Sequence, residues 1–198
     1  MGQELYKKVY NVKEFYIALY KGLRTFKYMT RNKKTNKMSS HLIERIMLAV
    51  TEVNGCEVCS YAHTKIALEQ GMSEEEIAML LSGNTEGISN YEVMAIVFAQ
   101  HYADTRGNPS REAWERIVEA YEMEKALGIL GAIRMIMIGN IYGIALSAFR
   151  SRIKGKKIDK TNLLYEIKMI VSIILLLPAA LIHSFILNLF NVPLIDFG

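Results

Sequence analysis

A chain of 198 residues, half of them hydrophobic, is long enough to bury a real core as one domain. Its 24 basic and 20 acidic residues leave a net charge of +4, too mild to argue for a nucleic-acid partner. Two cysteines exclude a disulfide framework. The absence of strand-like alternation, of a glycine-rich phosphate loop and of Ser-His-Asp logic leaves an all-α reading.

Residues 3 to 27 read as an amphipathic helix, with Val9, Val12, Phe15, Tyr16, Leu19 and Leu23 at helical spacing. Residues 28 to 38, YMTRNKKTNKM, are polar, basic and without period, and read as a solvated loop. A polyanion-binding patch is the sharper alternative there. Ser39 and Ser40 can cap a helix over about 41 to 53, whose stripe is Leu42, Ile43, Ile46, Met47, Val50 and Val53. Glu44 falls beside that stripe. On position alone it reads as an exposed glutamate paired with a lysine; partly buried, its raised pKa would let it hold a proton near neutrality.

Asn54-Gly55 is a turn signal just before Cys56. If Cys59 opens the following helix, His63 lies one turn below it on the same face. A helix start favours a thiolate, and the thiolate is the nucleophile. Two cysteines two residues apart can also close a small disulfide, so the spacing points to redox chemistry. The opening MGQELYKKVY is charged and has no apolar core, so no secretory signal is expected. The expected location is cytoplasmic, where a CxxC pair is catalytic or metal-binding more often than structural.

Together Glu44, Cys56, Cys59 and His63 make the pattern E-x11-C-x2-C-x3-H. This resembles the core of the alkylhydroperoxidase D and carboxymuconolactone decarboxylase superfamily, in its CxxC-bearing branch, with matching helical context over roughly 40 to 105. The resemblance implies an AhpD-like helical bundle. It implies Cys59 as the cysteine that attacks peroxide, Cys56 as the one that resolves it, and Glu44 and His63 as a proton relay. It implies no bound cofactor, a hydroperoxide substrate, an external dithiol or disulfide-reductase partner, and assembly as trimers or hexamers. Well-known members carry a second histidine between the cysteines, where this chain has Val58. Other readings are a metal site on Cys56, Cys59, His63 and Glu44, without the second paired cluster usual for zinc, a decarboxylase or isomerase, and a stress-linked protein without peroxidase activity.

The helix from the cysteines is expected to run to about Gln70 and stop at Gly71. Ser73 to Glu76 and Ser89 to Glu92 are capping boxes, opening helices to Leu81 and to about Asp104. His101 reads as a helix C-terminal residue, with a catalytic role as the alternative. Asn108-Pro109 starts a helix holding Trp114, Ile117, Val118 and Tyr121. A long helix over about 123 to 150 follows. Its Gly128, Gly131, Gly139 and Gly143 predict close packing against the catalytic helices or a second subunit.

Residues 150 to 160 are a basic connector broken at Gly155. The expected division is a helical domain over 1–160 carrying the cysteines and a hydrophobic helical segment over 161–198. From Met169 to Ile195 there is no Asp, Glu, Lys or Arg, a run longer than the roughly 20 residues a bilayer needs. Six basic residues precede it, which fits a tail anchor. Pro178, Asn188, Asn191 and Pro193 interrupt it, which suits helices buried between subunits of a soluble homo-oligomer. Burial in an oligomer is the expectation, and membrane contact through 169–195 the alternative.

Overall fold

The computed structural model describes residues 6–156 and 158–197. Among them are seven helices and no strand: α1 (Val12–Lys34), α2 (Ser40–Asn54), α3 (Glu57–Glu69), α4 (Glu74–Leu80), α5 (Asn90–Asp104), α6 (Arg111–Ile153) and α7 (Leu163–Leu189). The all-α, AhpD-like bundle with a hydrophobic C-terminal helix is therefore borne out.

Helix α6 is the axis of the bundle. Helices α1, α2, α3 and α5 pack on it, and α7 lies against α1 and α6. Its core residues Ile129, Leu130, Ile133, Ile136 and Ile141 are buried. The expected break before residue 123 is present as a kink at Glu122, whose φ of 59° and ψ of 158° interrupt the helical backbone. Three of the four expected glycines make close approaches. A methyl at Gly128 would meet the Asn32 side chain at 2.7 Å, one at Gly131 the Thr25 carbonyl at 2.8 Å, and one at Gly143 both cysteine sulfurs. Gly139 makes no such approach. A second, smaller core of Leu48, Ala67, Met72, Ile77, Leu80 and Ile96 joins α2, α3, α4 and α5.

The N-terminal third corrects two expectations. Of the helix expected over 3 to 27, residues 3 to 5 lie outside the described residues, and residues 6–11 are not helical. The helix begins after Asn11, whose side chain accepts from Glu14 N while Glu14 accepts from Asn11 N, a complete capping box. The loop expected over 28 to 38 is helical to Lys34. Tertiary packing overrides its polar composition: Met38 and Asn32 are buried, and Asn32 Nδ2 donates to the Glu124 carbonyl of α6 at 3.0 Å.

Each of the two serine caps accepts from the backbone N–H three residues on, Ser73 from Glu76 and Ser89 from Glu92. The reciprocal half of each expected box is replaced. Glu76 accepts from Arg45 Nε at 2.6 Å, and Glu92 pairs with the same guanidinium. One cation on α2 thereby holds the first turns of α4 and α5.

Candidate functional site

The turn before the cysteines is fixed from three sides. Gly55 caps α2 in the left-handed region (φ 71°), where a side chain would be strained. The segment before α1 crosses it, with Tyr6 N donating to Gly55 O at 2.7 Å and Lys8 N to Asn54 O at 3.2 Å. Tyr10 OH donates to Asn54 Oδ1 at 2.6 Å.

The helix opens one turn earlier than expected. Cys56 is the N-cap of α3 and Cys59 its third residue, and Cys56 Sγ accepts from Cys59 N at 3.3 Å. The difference follows from Gly55, which reverses the chain immediately before Cys56. His63 still follows Cys59 by four residues. The two sulfurs are joined as a disulfide. Both residues are buried, Cys56 completely and Cys59 at 8% exposure. Gly143 leaves room for the pair, since a methyl there would stand 2.8 Å from Cys56 Sγ and 2.9 Å from Cys59 Sγ.

Glu44 is buried, and its Oε2 lies 2.8 Å from His63 Nδ1. An ionised Glu44 fixes the ring with Nδ1 protonated and leaves Nε2 to exchange protons. The structure thus brings Glu44 and His63 together and Cys56 and Cys59 together, with His63 on the helix that the cysteines open. Among the described residues no hydrogen bond links His63 to either sulfur. No group of three or more His, Cys, Asp or Glu side chains among them is arranged to hold a metal ion. His101 serves elsewhere, its Nε2 accepting from Ser110 N at 3.1 Å between α5 and α6.

Val58 is exposed on an open groove of about 510 Å³ rimmed by Tyr61, Leu146, Arg150 and Lys154. Tyr6 is a site neighbour that the sequence did not reveal. Its hydroxyl donates to Glu57 Oε2 at 3.2 Å and accepts from Ser147 Oγ at 3.0 Å, and burial pushes its pKa above the usual phenol value. No local pattern marks a tyrosine fifty residues from the cysteines, and only the fold brings it there.

These features define an all-α protein with a helix-capping CxxC disulfide and, on the same helix, a histidine hydrogen-bonded to a buried glutamate. Residues 18–86, from within α1 to the loop before α5, match the model of the carboxymuconolactone decarboxylase family, which bears out the resemblance carried by E-x11-C-x2-C-x3-H. Neither the curated proteins nor the solved structures contain a match to the chain.

Proposed function

We propose that the chain is a thiol-dependent peroxidase that turns over through Cys59 and Cys56. The single observation that carries this reading is a closable CxxC pair at the start of the helix that also carries His63, hydrogen-bonded to buried Glu44. In the first step the Cys59 thiolate attacks the terminal oxygen of a hydroperoxide. The O–O bond breaks, Cys59 becomes a sulfenic acid, and the alcohol or water leaves. His63, held by Glu44, takes the thiol proton and returns it to the leaving oxygen. The Cys56 thiol then displaces water from the sulfenic acid to close the disulfide. An external dithiol, itself oxidised, reopens it by thiol–disulfide exchange. No haem, flavin or metal enters this cycle.

The test is whether fully reduced protein consumes tert-butyl hydroperoxide with loss of two titratable thiols per chain. Consumption in that ratio is expected. Protein that keeps both thiols after prolonged exposure overturns the reading and leaves the decarboxylase-type or non-enzymatic roles.

The same proposal includes a cytoplasmic homo-oligomer assembled through α7. Helix α7 buries Glu166, Met169, Ala180 and Ser184 and leaves Leu164, Ile174, Leu175, Ile182 and Phe185 strongly exposed. Burial of such surface is favourable at roughly 25 cal/mol per Å², which supports an obligate contact with a second copy.

A further inference from the structure

A cavity of about 200 Å³ lies between α1, the end of α5 and α6, apart from the cysteines. Three cations line it: Lys21 of α1, Arg106 of the α5–α6 loop and Arg134 of α6. Ile17, Met137 and Ile141 supply an apolar wall. One acid, Glu14, lines it too and is spent on Arg106, whose Nη1 donates to Glu14 Oε1 at 2.8 Å.

Arg134 is the unusual member. It is 2% exposed, yet among the described residues no carboxylate lies within ion-pair distance of its guanidinium. Nε donates to Tyr102 OH at 2.9 Å, Nη1 reaches the Lys21 carbonyl at a long 3.4 Å, and Nη2 makes no hydrogen bond among the described residues. Arg24, equally buried, spends Nε and both Nη groups on Asn188 and on the carbonyls of Val192 and Pro193. Burying a cation without a partner is costly, so an unpaired one that lines a cavity marks a place where an anion belongs. Lys21, half-buried, likewise has no carboxylate within ion-pair distance among the described residues. Burial first and then the charge of Arg134 hold its pKa below the usual lysine value, against a small opposing effect of Asp196.

We infer that this cavity binds a small organic monocarboxylate, its carboxylate on Arg134 and Lys21 and its compact apolar body against Ile17, Met137 and Ile141. The guanidinium offers a planar fork that matches a carboxylate. A cavity of about 200 Å³ admits one small ring or a short branched chain. A purely inorganic anion would leave the apolar wall unused.

The test uses full-length protein and sodium benzoate as probe, with benzamide and inorganic phosphate beside it, followed by isothermal titration and thermal melting. Benzoate is expected to bind one per chain and raise the melting temperature. Benzamide, its neutral counterpart, is expected to bind at least about tenfold more weakly, the scale of a charge-assisted hydrogen bond. Arg134→Met should abolish benzoate binding and, because an unpaired buried charge is removed, melt above the unsubstituted protein without ligand. Lys21→Met removes the half-buried cation from the same cavity and should weaken benzoate severalfold, which keeps the test valid if Arg134→Met does not fold. Equal binding of benzamide and benzoate, phosphate binding without benzoate binding, or benzoate affinity unchanged in Lys21→Met each overturns the inference.

Discussion

Helices α6 and α7 are both long and apolar enough to cross a membrane, and the fold treats them in opposite ways. Helix α6 lies mostly within the bundle. In its middle the polar side chains of Arg134 and Asn140 are enclosed, while charged residues such as Arg116 and Arg150 toward its ends are exposed, and Gly143 on it backs the disulfide. Helix α7 lies on the outside. Ser184 Oγ donates to the Tyr20 carbonyl at 3.1 Å, His183 Nδ1 is 2.9 Å from Tyr16 OH, and buried Glu166 accepts from Arg152, while Ile174, Leu175, Ile182 and Phe185 stay exposed. Composition cannot separate two such helices; the share of apolar surface that each leaves uncovered does. The proposed chemistry rests on what α6 backs and the proposed assembly on what α7 exposes. The two should therefore be separable by substitution.

The largest effect is expected at the sulfurs. Cys59→Ser should lose all reaction with hydroperoxide, whereas Cys56→Ser should still form a trappable sulfenic acid at Cys59, and neither should change the oligomeric state. Single-turnover kinetics with a sulfenic-acid trap measures this, and normal reactivity of Cys59→Ser with loss in Cys56→Ser would reverse the roles.

Next is the outer face of α7. The double substitution Ile174→Lys with Phe185→Lys should convert the oligomer to monomer in sedimentation while thiol reactivity persists. Removing residues 163 to 198 should give monomers or aggregates, since α7 also covers α1 and α6. Full-length protein confined to a membrane pellet and released only by detergent would sink the assembly role and favour a lipid contact.

At Glu44 the expected loss is smaller. Glu44→Gln keeps the size and removes the charge that orients His63, so the peroxide reaction should slow about 10²-fold with little change in stability. An unchanged rate from pH 6 to 8 would make Glu44 structural only.

Gly143→Ala should cost about 1–3 kcal/mol of stability, the scale of overpacking, because the added methyl meets both sulfurs. Chemical denaturation of the oxidised protein reads this directly, and a wild-type midpoint would show that α6 yields at that point.

The smallest effect is a pH dependence at the base of α7. Hydrogen bonds from Arg152 foremost, and from Thr161, hold the Glu166 carboxyl below its ordinary value of 4.5. A depressed folded-state pKa contributes stability above the unfolded value, lost as pH falls through the folded one. The melting temperature should therefore drop below about pH 4.5, and Glu166→Gln should remove that component. Identical acid profiles for the two proteins would rule it out.

How far the chain was legible follows the same division. The order of the helices, the Gly55 turn, the serine caps and the closeness of Cys56 to Cys59 could be read because each rests on local spacing, whereas His63 reaches Glu44 through the packing of α3 on α2. The loop expected over 28 to 38 could not, because Asn32 becomes helical through contacts with α6 almost a hundred residues away. The segment before α1 was misjudged for a related reason. Val9 fits the helical period, but Asn11 and Glu14 mark the true start, and Tyr6 is used on the turn before Cys56 instead. The exposed apolar side of α7 was hidden because a continuous apolar run does not reveal which side is covered.

The Arg45 arrangement bears on how this region tolerates mutation. Arg45 stands next to Glu44 in sequence and holds both Glu76 and Glu92, so its loss would be expected to strand two carboxylates. Neither is stranded, because each is three residues from a serine cap whose backbone N–H it can accept in the ordinary reciprocal pattern. The capping boxes legible in the sequence are thus a reserve that the native state leaves undrawn. Drift at position 45 has a second arrangement to fall into, while its neighbour at 44 has none.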